Sequence, residues 1–208
     1  MHNLIIPFYA AWLYIVASYY DYIKNKGLYH RHNFINKIDN LFWNVFFFLP
    51  FSLFTIFTIR PLTTLYYNPF IEIFHIALNI AFGEIWFYSF HYLLHTRLFY
   101  FLHKKHHENI DTVGIFALYA HPFDAIVVNL GSIYFLHYLI GFSIFQVYLI
   151  GTVATINTIV NSHSGRKDNF HQMHHKKFTV NYGLDLFMDK LFNTQNRNVV
   201  LELSKKYQ

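Results

Sequence analysis

From Ala125 to Val160 the chain runs for 36 residues without a formal charge, broken near its middle by Gly141. In water such a segment would have to be buried on every side, which a chain of 208 residues can hardly manage. A lipid bilayer accepts it readily, since one crossing takes roughly 20 mostly apolar residues. Three other stretches suit the same solvent. Leu4 to Tyr20 and Leu41 to Ile59 are uncharged, and Phe70 to Phe90 is apolar apart from Glu72, His75 and Glu84. The length of Ala125–Val160 fits two closely connected passes, one on each side of Gly141. The first stretch lacks the basic leader and small-residue cleavage site of a secretory signal, so it reads as a retained helix. The expected fold is all-α, a polytopic bundle of about four or five transmembrane helices with a histidine-rich helical cap. Residues 1–69 would hold N-terminal membrane helices and 70–208 a catalytic domain.

The basic residues orient this bundle. Of sixteen Lys and Arg residues, four lie in 21–40, three in 91–124 and eight in 161–208, and Arg60 sits alone on the other side. The positive-inside rule makes the rich side cytosolic, with the N-terminus outside and the C-terminus in the cytosol. The net charge of +5 is therefore a topology signal. No basic-aromatic recognition motif suggests a nucleic-acid partner. The last four residues, Lys205-Lys206-Tyr207-Gln208, have the KKxx form of an endoplasmic reticulum retrieval signal. A basic tail meeting anionic lipid heads is the plainer alternative.

Histidine is the unusual residue: 15 imidazoles against 11 carboxylates, with no cysteine. Disulfides, thiolate metal sites and Cys nucleophiles are thereby excluded. Eleven of the histidines lie between positions 91 and 175, and all of these but His137 are at or beyond the cytosolic helix ends. His91 and His95 form HxxxH; His103, His106 and His107 form HxxHH; His171, His174 and His175 repeat it; His121 and His163 stand singly. Residues three or four apart share a helix face, so HxxxH aims two rings at one ion and HxxHH presents three within an arc of about 100°. Eight to ten neutral nitrogen ligands are too many for one ion and suit two. Imidazole serves Fe, Zn, Cu and Ni and argues against Ca or Mg, which take oxygen. Glu84, Tyr88, His91 and His95 lie within about 60° of one another on a helix. Glu84 could thus accept an imidazole N–H and fix its tautomer, and Glu108, beside His107, is a similar candidate.

The order HxxxH, HxxHH, HxxHH resembles the fatty acid hydroxylase/sterol desaturase superfamily of integral-membrane di-iron oxygenases. The likeness extends through Gly83-Glu84, His103-Lys104-Lys105-His106-His107-Glu108, His121-Pro122, Asn161 to Gly165, Phe170 to His175, and Asn181-Tyr182-Gly183 leading to Asp189 and Phe192-Asn193-Thr194. It covers roughly residues 80–195, and His163-Ser164-Gly165 looks most like the methylsterol oxidase branch. The chain departs where Gly83-Glu84 replaces an acidic pair, where Asp124 stands for a commoner Glu, and where Asn193 replaces Gly.

The resemblance implies an O₂-dependent oxidoreductase that hydroxylates or desaturates a lipid, a sterol being favoured. A fatty acyl or sphingolipid hydroxylase and an alkylglycerol monooxygenase are the alternatives within the superfamily. It also implies two iron ions (with zinc able to take the site in isolated protein) held by His91, His95, His103, His106, His107, His121, His163, His171, His174 and His175. Catalysis needs no side chain beyond these ligands. Electrons would come from cytochrome b5 and its NAD(P)H reductase, and the enzyme would sit in the endoplasmic reticulum membrane. A non-catalytic metal-binding or transport protein is a different class; transporters place ligands near the bilayer midplane, whereas these gather at one surface.

Overall fold

The computed structural model describes residues 2–63, 68–165 and 170–196, and among these it is helical, with no strand beyond a single bridge between Thr63 and Ser143. The KKxx tail lies outside the described residues. Helix α1 (His2–Lys24) packs along α2 (Ile38–Ile59), which passes through a π-helical turn at Asn44–Phe48. Helix α3 (Pro69–Leu94) starts where Asn68 accepts the Phe70 N–H and proline occupies the first turn, a position where its missing N–H costs nothing. Two further apolar helices follow, α4 (Asp124–Tyr134) and α5 (Ile144–Ser162), and then a short polar one, α6 (Phe170–Lys177).

Helices α2, α3 and α5 are long and apolar enough to cross a bilayer. The uncharged run does break at Gly141. Its first arm is built of two pieces, the 11 residues of α4, which rise about 16 Å, and a further helical turn at His137–Ile140. Beyond Gly141, Ser143 opens α5 with a reciprocal capping box, its hydroxyl taking the Gln146 N–H while the Gln146 side chain takes the Ser143 N–H. That closes two of the backbone donors a helix start leaves open.

Helix α3 is inside-out by the standards of a soluble protein. Its Ile73, Phe74 and Ile80 face outward, while Glu72, Asn79, Glu84 and His91 are buried. Exposed apolar rows of this extent mark a surface meant for another apolar phase, and lipid supplies it. Close contact then replaces the hydrophobic effect in holding helices together. At the α3–α4 crossing a Cβ on Gly83 would stand 2.7 Å from the Ser132 carbonyl oxygen, and one turn on Trp86 Nε1 donates to the Val127 carbonyl at 2.8 Å. We expect Gly83→Leu to part these helices, at about 1–3 kcal/mol for overpacking. It should lower folded yield and metal content together, as size-exclusion chromatography with metal analysis would register.

Candidate metal centre

At the C-terminal end of α3 nine imidazoles converge in two groups. The ligand atoms of His91, His95, His103, His107 and His174 lie within 4.8 Å of one another, and so do those of His106, His163, His171 and His175. The sequence spacing explains the division. In each HxxHH motif the first and last rings, one helical turn apart, go to one group and the middle ring to the other. His103 and His107 join the first group while His106 joins the second; His171 and His175 join the second while His174 joins the first. The two motifs therefore interlock, and the groups abut, with the His107 and His175 ring centroids 4.6 Å apart. Regular helix carries His91 on α3 and the second motif on α6, but 103–108 is a run of tight turns.

Hydrogen bonds fix how these rings point. His91 Nδ1 meets the Tyr182 carbonyl at 2.6 Å, His174 Nδ1 the Val180 carbonyl at 2.7 Å, His163 Nδ1 the Thr158 carbonyl at 2.9 Å and His175 Nδ1 the Asn109 carbonyl at 3.1 Å. His103 Nδ1 meets a carboxylate oxygen of Asp124 at 2.7 Å. Carbonyls and carboxylates only accept, so each Nδ1 carries the proton and each Nε2 presents a lone pair. His91 Nε2 and His103 Nε2 then face each other at 3.0 Å with no proton to share. His95 Nε2 is buried with no hydrogen-bond partner among the described residues. Converging lone pairs repel unless a cation lies between them, so the donor set fits a metal ion in each group.

The electrostatics agree. Burial pushes His95 down to about 2, His174 to about 3 and His163 to about 4, and pushes His106, His107, His171 and His175 the same way. The rings stay neutral, the form that binds metal. For metal-free protein the sign is definite. Folded values below the unfolded 6.5 mean that the unfolded chain takes up more protons in acid. Stability is therefore full above about pH 6.5 and falls as the pH drops toward 4, by about 1.4 kcal/mol per pH unit for each such imidazole. Thermal unfolding of metal-free protein across this range should show a multi-proton slope, and bound metal, which also holds the rings unprotonated, should raise the stability without abolishing that slope.

The remaining candidates fall elsewhere. His121 joins neither group: it is exposed, and its Nδ1 accepts the Phe123 N–H at 3.2 Å. The expectation that it lies with the other ligands is corrected: it stands outside both groups, just ahead of the helical residues Pro122 and Phe123 that lead into α4. Glu84 touches no imidazole either. It is fully buried and accepts backbone N–H groups from Leu184, Phe187 and Met188. Asp189 takes those of Tyr182 and Gly183, so two carboxylates pin the loop whose carbonyls orient His91 and His174. Gly183 sits between them, where a Cβ would stand 2.8 Å from an oxygen of each. Glu108 accepts the Tyr119 hydroxyl at 2.6 Å rather than an imidazole proton.

Sequence reasoning missed Asp124 as the imidazole partner. The available signal was its position, a carboxylate at the head of the 36-residue uncharged run, where an ionised group needs a partner. Asn193, the departure from glycine, has φ 56, a left-handed conformation that Asn tolerates.

A family model described as fatty acid hydroxylase matches residues 76–194, a segment that includes every imidazole of both groups. Fatty acid hydroxylase domain-containing protein 2 of Homo sapiens is 33% identical over 126 residues, covering 57% of this chain and 38% of that protein. Methylsterol monooxygenase 1 of Gallus gallus is 26% identical over 145 residues, covering 60% and 47%. A fatty acid hydroxylase of Mycosarcoma maydis is 34% identical over 123 residues, covering 53% and 30%. The chain thus spans about half or less of the length of these relatives. No solved structure matches.

Proposed function

The chain belongs to the fatty acid hydroxylase family, and from that premise we propose that it is an O₂-dependent membrane oxygenase that oxidises an unactivated C–H bond of a lipid. The observation that carries this is the pair of abutting all-imidazole groups at one end of membrane-type helices. A single structural ion would need four ligands, and nine converging imidazoles go far beyond that. The five rings of the first group and the four of the second would each hold one iron ion. His121 has no part in it.

Two such ions supply what side chains cannot, electrons for activating O₂; zinc, being redox-inert, could occupy the site without doing so. The residues contribute placement. Asp124 holds His103 in one tautomer, the Tyr182 and Val180 carbonyls do so for His91 and His174, and Thr158 for His163. Such partners orient ligands and raise their basicity. The buried setting excludes bulk water from the reacting carbon.

In hydroxylation one oxygen atom enters the C–H bond and the other leaves as water. In desaturation two hydrogens leave and both oxygen atoms end as water. Each balance takes two electrons and two protons from outside, and cytochrome b5 or an equivalent carrier is the proposed donor, docking on the basic side. That side is read as cytosolic, in the endoplasmic reticulum. Sterol oxidation draws support from the likeness to methylsterol monooxygenase 1, and acyl oxidation from the likeness to the Mycosarcoma maydis hydroxylase.

The test is O₂ consumption by the full chain, loaded anaerobically with iron and supplied with a reductase system and a panel of lipids. A product heavier by one oxygen atom, or lighter by two hydrogens, is expected with one lipid class. Iron-loaded protein that consumes no O₂ with any class would overturn the proposal.

A further inference from the structure

The last turn of α1 carries a carboxylate that the proposed chemistry leaves unused. Asp21 is 1% exposed and has no cation against it; burial of such a group demands hydrogen bonds instead. Three donors supply them: the Tyr29 hydroxyl at 2.8 Å, the Asn25 side-chain amide at 2.6 Å and the Gly114 N–H at 2.7 Å. The Tyr29 hydroxyl also accepts the next amide, that of Ile115, at 3.4 Å. Asp21 and Tyr29 therefore hold two consecutive N–H groups of a segment far away in sequence. The approach is close, since a Cβ on Gly114 would stand 2.8 Å from the Asp21 carboxylate.

The segment so held, 109–114, borders the four-ring group. His106 lies just ahead of it, and its Asn109 carbonyl takes the His175 Nδ1 proton at 3.1 Å. Thr112 donates to the Gln172 side-chain oxygen through both its N–H and its hydroxyl, and the Gln172 amide donates to the Ile110 carbonyl. That fastens α6 beside His171. Gly165, two residues past His163, meets the same segment, where a Cβ would stand 2.9 Å from the Thr112 carbonyl oxygen. The five-ring group leans on different backbone, the loop pinned by Glu84 and Asp189.

We propose that Asp21 is a positioning residue for the second ion, acting through Gly114 and the 109–114 backbone on His171 and His175. Each ion then has its own stretch of backbone anchored by buried carboxylate, Asp21 for the second and the Glu84–Asp189 pair for the first. The working unit also includes α1, which lies ahead of the matched residues 76–194. The inference rests on reading the two groups as two ion sites and is independent of the oxygen chemistry.

Co(II) titration of full-length, metal-free protein against a competing chelator tests it, with absorbance and bound metal followed together. The His106→Ala chain keeps its five-ring group and supplies the reference spectrum of the first ion. Asp21→Ala should retain that spectrum and hold the other ion about 10–100-fold more weakly, as when a ligand's support is removed. Asp21→Asn can still accept the Gly114 N–H through its amide oxygen and should recover most of the affinity. Thr112→Val keeps the shape but loses the hydroxyl that meets Gln172, so it should weaken the same ion even if Asp21→Ala does not fold. Unchanged affinity for both ions in either variant, or equal weakening of both ions, would overturn the proposal. Wild-type protein that bound a single Co(II) ion would instead count against the two-ion reading beneath it.

Discussion

His106→Ala and His107→Ala, though adjacent in sequence, should damage different ions. His107 is one of five rings in the first group and His106 one of four in the second. Each substitution should therefore leave about one iron ion per chain, and each should abolish lipid oxidation because activation of O₂ needs both. The signatures differ. The His107→Ala protein keeps an intact four-imidazole site and the His106→Ala protein an intact five-imidazole site, so Mössbauer or cobalt-substituted absorption spectra of the two should not coincide. Exposed His121 supplies the control: His121→Ala should keep both ions and its activity. Full metal content in either box variant would undo the ligand assignment.

Asp124→Ala should be nearly as damaging without removing any ligand. Its carboxylate is buried beside the His103 ring, both side chains being 2% exposed. Without it the Nδ1 proton loses its acceptor, and the ring is free to turn or to adopt the tautomer that blocks Nε2. Removing such a partner costs about 10–100-fold in metal affinity or activity. Asp124→Asn keeps the shape and can still accept through its amide oxygen, so it should recover metal binding more than activity. Titration of metal-free protein with Co(II), followed by absorbance, separates the two effects. An unchanged affinity in Asp124→Ala would mean that the carboxylate does not position His103.

Much of this site was legible in the sequence, and the reason is local. Three- and four-residue spacings act within one turn of chain, so the motifs at 91–95, 103–107 and 171–175 declare that their rings gather in one region, though not that each HxxHH divides between two groups. The break at Gly141 is legible for the same reason, as are the helices around it. What spacing cannot tell is which segment arrives from elsewhere. Glu84 does lie on the face of α3 that leads toward His91, yet the segment opposite it is the 181–188 backbone, whose N–H groups it takes. Asp124 reaches His103 across 21 positions, in a fold where α4 packs on α3 at Gly83 and Trp86. His121 shared a stretch with ligands but not their direction. The lengths of uncharged runs likewise revealed apolar helices without revealing that α4 is short.

The central claim is that nine imidazoles hold two redox-active ions, and iron stoichiometry with spectroscopy tests it most directly. Full-length protein is purified, loaded anaerobically with ferrous iron, freed of excess metal and measured by elemental analysis and Mössbauer spectroscopy. The account predicts about two iron ions per chain in nitrogen-rich, unequal environments. A limit of one ion per chain, or iron that washes away while all nine rings are intact, would contradict it.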